Sequence, residues 1–239
     1  LGVLPSYTAL GMASLLPHQS LAYSDNGDVL VDGKPVASTD ARSKQLATVQ
    51  GMACQANELR VMKLEEARAF TEGKRVVYIY HNVIDAVGDS ASTEGETFQA
   101  VDACIDELAE LVQFCVNKLN AAKVWVTADH GFLFQQEAPT ATDKSKLSHK
   151  PPQALIAKKR YVIGRNLGSS PEAHHGSTTV TSGTADPMEF WIPRGANRFH
   201  FTGGARFIHG GAMPQEVIVP VVTVTQLRGT KIPSSRIEK

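Results

Sequence analysis

Arg75-Val-Val-Tyr-Ile-Tyr-His81 and Lys123-Val-Trp-Val-Thr-Ala-Asp129 are two runs of β-branched and aromatic residues separated by a long helical pattern. Runs of this kind read as buried strands. The pattern between them predicts a helix from about Phe98 to Leu119, with Val101, Ile105, Leu108, Leu111, Val112, Cys115 and Leu119 on its apolar stripe. Thr93 and Glu96 stand at capping-box spacing ahead of it. Strand, long helix and strand at this spacing form a βαβ unit, which implies a parallel sheet and a right-handed crossover. The fold class that follows is α/β.

Upstream, Thr8 to Leu16, Asp40 to Gln50 and Leu64 to Phe70 carry helical patterns, and the stretch from Val29 to Pro35 reads as a small hairpin around Asp32-Gly33. Downstream, Ala138 to Pro152 is polar and proline-bearing and reads as a loop. Arg160 to Gly164, Met188 to Ile192 and Phe199 to Phe201 read as short strands. The last apolar run, Glu216 to Val224, contains Pro220, which argues for an edge position or a break. The expected architecture is a single domain over residues 1–239, with a mostly parallel sheet, helices on both faces and a β-rich C-terminal part.

With 239 residues, 42% hydrophobic and 20% charged, the chain has the composition of an ordinary globular domain. Lys plus Arg and Asp plus Glu each number 24, so net charge singles out neither an acidic nor a basic partner. Seven Lys or Arg and no acid lie between Lys144 and Arg165, which reads as a solvated loop, with phosphate contact as the functional alternative. Asp85 to Glu110 carries eight acids and no Lys or Arg. Cys104 and Cys115 lie eleven residues apart on one helical face, which predicts core packing. An odd total of three cysteines without paired spacing fits a reducing compartment. No apolar run reaches membrane-spanning length and no signal peptide is visible, so the expected location is the cytoplasm, with no membrane partner.

Three clusters carry candidate chemistry. Asp129-His130-Gly131 follows the second strand, and sites in open α/β sheets lie beyond the carboxyl ends of strands. Asp and His are both good zinc ligands, although the tripeptide alone is also an ordinary polar turn. His81 and Asn82 end the first strand, with Asp85 and Asp89 just beyond; the two carboxylates suit a cation or, equally, helix caps. His81 and Asn82 are placed to contact a metal or its ligands. His209-Gly-Gly leads into the final apolar run, where the glycines permit close backbone approach. Ser6 and Thr8 place hydroxyls at the start of a helix, as N-caps or as a nucleophile.

In this order the segments Leu4 to His18, Tyr78 to Asp89, Val126 to Phe132 and His209 to Pro220 resemble the alkaline phosphatase superfamily, and within it the PglZ family of bacterial BREX phage-exclusion systems. The resemblance implies an alkaline-phosphatase-like fold and a divalent-metal-dependent phosphohydrolase, with zinc, one or two ions, as the expected cofactor. It implies Thr8 as nucleophile, with Ser6 the weaker choice. Asp85, Asp89 and His209 would hold one ion, Asp89 standing where the superfamily usually has His. Asp129 and His130 would hold the second. The expected substrate is a phosphate ester, a monoester, a diester or a nucleic acid, and the expected partners are other phage-defence proteins. The alternative is a non-catalytic assembly module with a degenerate metal site, and a phosphomutase is a third reading without a supporting motif. The superfamily's first ligand is an Asp ending an opening strand. Seven residues precede Thr8, so that strand is expected to be missing from this sequence.

Overall fold

A computed structural model of the chain describes residues 1–145, 147, 151–200 and 206–226. In chain order its elements are α1 (Thr8–Ser14), β1 (Leu21–Tyr23), β2 (Val29–Val31), β3 (Lys34–Pro35), α2 (Thr39–Leu46), β4 (Gly51–Gln55), α3 (Ala56–Val61), α4 (Leu64–Thr71) and β5 (Val76–Tyr80). There follow α5 (Val83–Gly88), α6 (Thr97–Asn117), β6 (Lys123–Thr127), β7 (Leu133–Phe134), β8 (Ala154–Ala157), β9 (Val162–Gly164), β10 (Ala173–Ser177) and α7 (Thr178–Ser182). The last are β11 (Glu189–Pro193), β12 (Phe207–Ile208), α8 (Pro214–Val217) and β13 (Val221–Thr225).

The mixed α/β class holds, and β4 and β5 form the parallel pair, in register from Gly51↔Val76 to Gln55↔Tyr80. Side chains alternate along β5. Val76, Tyr78 and Tyr80 pack on a core made by α1, the β1–β2 hairpin and the sheet β10-β11-β9-β8. Val77 and Ile79 face a second core with Cys54, Leu59, Ala67, Leu111 and Cys115 from β4, α3, α4 and α6. Val124 of β6 joins that second core.

Several expectations change in detail. β5, α6 and β6 form in sequence, but β5 and β6 share no ladder: β6 pairs antiparallel with β13, from Val221↔Thr127 to Thr225↔Lys123. β6 is not buried on both faces, for Trp125 is 59% exposed. On α6 the buried positions are Thr97, Cys104, Leu111 and Cys115, whereas Ile105 turns outward. The Thr93–Glu96 capping box does not form; Thr93 Oγ1 donates to Val87 O at 2.7 Å, and a short 3₁₀ turn, Glu94–Glu96, leads into the helix. Pro220 marks a break, with α8 before it and β13 after it. Phe199 and His200 lie outside any strand, and Phe201 is outside the described residues.

The basic run departs most from its reading as a solvated loop. It builds β8 and β9, and Arg160 in the turn between them is fully buried. Among the described residues no helix is long and apolar enough to cross a membrane.

Candidate functional site

Thr8 opens α1, and Tyr78 Oη ties the far end of that helix to β5 by donating to Leu15 O at 2.7 Å. Gly11 lets α1 lie against the end of β6, because a Cβ there would sit 2.5 Å from Asp129 O. The helix therefore delivers the Thr8 hydroxyl to the Asp129-His130 turn, with Oγ1 3.0 Å from His130 Nε2. His130 Nδ1 lies 3.0 Å from Gly131 O. With that nitrogen donating to the carbonyl, Nε2 presents its lone pair to the cluster.

Around Nε2 stand Asp129 Oδ2 at 3.5 Å and Asp85 Oδ2 at 3.8 Å. The His209 ring stacks on the His130 ring with centroids 3.9 Å apart and planes 5° apart. Four chain segments thus bring Thr8, Asp85, Asp129, His130 and His209 together. Asp89 lies one turn after Asp85, its N–H donating to Asp85 O at 2.9 Å, and its side chain is exposed at the rim. Ser6 is buried beneath the cluster, and its hydroxyl donates to Gly211 O at 2.7 Å. His81 turns towards α6 instead, with Nε2 3.0 Å from Glu107 Oε2 and Nδ1 3.5 Å from Cys104 Sγ. Asn82 is exposed at the start of α5.

The electrostatics reflect crowded acids. Burial pushes the Asp85 carboxyl up to about 6, with Asp129 and Asp89 adding to the rise against the pull of His130. Asp89 is also raised, first by burial, against Lys159, His130 and Lys158. Burial, and then the neighbouring His130, hold the His209 imidazole down to about 3. Two buried polar atoms of the cluster, Asp129 Oδ2 and His209 Nδ1, have no hydrogen-bond partner. Orphaned acceptors of these types, with a histidine whose other nitrogen is held by a carbonyl, have the donor chemistry of a divalent-cation site. Among the described residues no three such side chains stand in ligating geometry as they are. The residues fit such an ion by chemistry, and Thr8 and His130 now satisfy one another in its place.

Sequence reasoning missed Arg160 and assigned no role to Glu216. Arg160 Nε and Nη2 donate to Glu216 Oε1 and Oε2 at 2.9 and 2.5 Å, with both side chains fully buried. The signal within reach was Glu216 at the head of an apolar run, where an acid needs a buried cation.

The mixed α/β fold, with an Asp/His cluster beyond the ends of β5 and β6, is that of an alkaline-phosphatase-like domain. Residues 1–224 match the BREX system PglZ alkaline phosphatase-like domain, and the chain belongs to this PglZ family. It is 47% identical over 232 residues to the alkaline phosphatase-like protein BrxZ of Escherichia coli O9:H4 (strain HS), covering 96% of this chain and 27% of that protein. It is 40% identical over 224 residues to the alkaline phosphatase-like protein PglZ of Bacillus cereus (strain H3081.97), covering 92% and 26% respectively. The chain thus spans about a quarter of the length of the relatives it matches.

Proposed function

We propose that this domain is a metal-dependent phosphohydrolase of a bacterial anti-phage system, with Thr8 as its nucleophile. The observation that carries the proposal is the Thr8 Oγ1–His130 Nε2 contact of 3.0 Å, flanked by the Asp129 and Asp85 carboxylates. Asp129 and His130, with Thr8, would hold one ion, and Asp85, Asp89 and His209 the other, with zinc the expected metal. When bound, such ions supply Lewis acidity that lowers the pKa of the threonine hydroxyl and offsets charge on the phosphoryl oxygens.

Thr8 Oγ1 supplies the electron pair for a new bond to phosphorus, and the ester P–O bond opposite it breaks. The hydroxyl proton passes to solvent, and the leaving oxygen takes a proton from water. Attack by water on the phosphorylated threonine then breaks its O–P bond, gives the threonine oxygen back its proton, and releases inorganic phosphate from a monoester or a phosphate monoester from a diester. Gly11 and the stacked His209 keep the Thr8, Asp129 and His130 groups in register through both steps. A phosphate ester is the proposed substrate, with nucleic acid among the candidates, and other components of the defence system are the proposed partners.

The exposed position of Asp89 favours the second reading, a domain retained for assembly. Assays of p-nitrophenyl phosphate and bis(p-nitrophenyl) phosphate in the presence of zinc separate the two. Thr8→Ala is expected to abolish hydrolysis while the ion at Asp85, Asp89 and His209 is retained, Thr8→Ser to keep part of the hydrolysis, and His209→Ala to lose metal. Full hydrolysis by Thr8→Ala removes the threonine from the mechanism, and an inert wild-type protein supports the assembly reading.

A further inference from the structure

Three of the four segments that carry the cluster, those of Thr8, Asp129-His130 and His209, are tied back to one buried ion pair. Glu216 Oε1 accepts from Gly211 N at 2.9 Å and Oε2 from Met213 N at 3.0 Å, which fixes the turn just after His209. The backbone of Glu216 reaches the second segment: Gly131 N donates to Glu216 O at 2.9 Å, directly after Asp129-His130. Arg160 completes the frame. Besides its two bonds to Glu216, its Nη1 donates to Gly195 O at 2.9 Å and to Asn197 O at 2.5 Å. Its neighbour Tyr161 stacks on Tyr7 at 4.8 Å, and Tyr7 precedes Thr8. The fit is tight at Gly211, where any side chain would collide with the Arg160 guanidinium.

We propose that the Arg160–Glu216 pair is the positioning device of the candidate site, setting Thr8, the Asp129-His130 turn and His209 at their mutual distances. The proposal deepens the phosphohydrolase reading and rests on it for its functional meaning. The physical argument is one of cost and geometry. Burying two charges is expensive, and apolar residues of similar volume commonly serve the fold as well or better. A fully satisfied buried pair of this kind gives directional, bidentate placement that apolar packing lacks. Here the Glu216 side ends on the turns after His209 and His130, while Arg160 anchors the pair to the 195–197 loop.

The test compares Arg160→Met/Glu216→Leu and Arg160→Lys with the wild-type protein by thermal unfolding, zinc titration and NMR of the histidine ring resonances. The stacked His130 and His209 rings shift one another's signals through ring currents, a readout that needs neither metal nor activity. The double variant, which leaves the Gly211 and Met213 amides without their acceptor, is expected to unfold cooperatively at a lowered temperature, to lose the stacking shifts and to bind zinc about tenfold or more weakly. Arg160→Lys, which keeps the charge without the planar fork, is expected to lose part of both. Wild-type histidine shifts in a folded variant overturn the proposal. Loss of fold in both variants also overturns it, because the pair is then a stability element. If the wild-type protein takes up no zinc, the metal reading fails, while the ring shifts still decide the positioning claim.

Discussion

Asp85 and His209 are perturbed in opposite senses, and each leaves its own mark on stability. Burial raises the Asp85 carboxyl to about 6, above the ordinary value near 4, so the folded chain holds that proton more tightly than the unfolded chain. The resulting stabilisation is complete at low pH and is lost as pH rises through about 6. His209, held down to about 3, resists protonation when folded, so its contribution is lost as pH falls from about 6.5 towards 3. The two slopes oppose one another, and a variant separates them. In metal-free protein, Asp85→Asn is expected to gain roughly 5 °C in Tm relative to wild type between about pH 4 and pH 7, with no further gain above. A constant difference across that range would falsify the burial assignment. At this scale, Asp129 and His130 were legible because a strand pointed at them. Arg160 was not, because its partner lies 56 residues away and a run of seven basic residues looks solvated from within.

α6 and β5 could be read from sequence because their side-chain periods are local properties, whereas the pairing of strands is not. The apolar runs at 123–127 and 221–225 are nearly a hundred residues apart, and nothing in either specifies that they lie antiparallel. Ile105 shows the same limit: it falls on the apolar stripe yet is exposed, while the buried positions of that helix are Thr97, Cys104, Leu111 and Cys115. β5 and β6 both pack on the core beneath α6, and their carboxyl ends meet at Asp85 and Asp129, but no described strand pairs with the second edge of either. We propose a further strand, of the kind the superfamily resemblance implies, as the partner of these edges. Unpaired edges leave their amides open to solvent. In hydrogen exchange, the amides on the unpaired edges of 76–80 and 123–127 are expected to exchange close to unprotected rates in this chain. They should become protected in a longer chain that carries such a strand. Equal protection in the two chains would show that the edges are already satisfied.

Across the whole molecule, the cluster draws on residues from almost the full length of the described chain. Thr8 meets His130 across 122 residues, and Ser6 meets Gly211 across 205. Contacts so distant in sequence are slow to form, because the chain loses the entropy of the long loop before the contact returns anything. On refolding from denaturant, the helical signal of α6 is expected to recover ahead of the His130–His209 ring-stacking signal; recovery of both in one phase would place the cluster in the folding nucleus. The Ser6–Gly211 bond therefore acts as a clasp that closes late on the fold. An ion offered to the open chain finds carboxylates and imidazoles scattered and free to be bridged wrongly, whereas one offered after the clasp has closed finds them already assembled. If the proposed site holds zinc, protein renatured before zinc is added is expected to take up more of it than protein renatured in its presence.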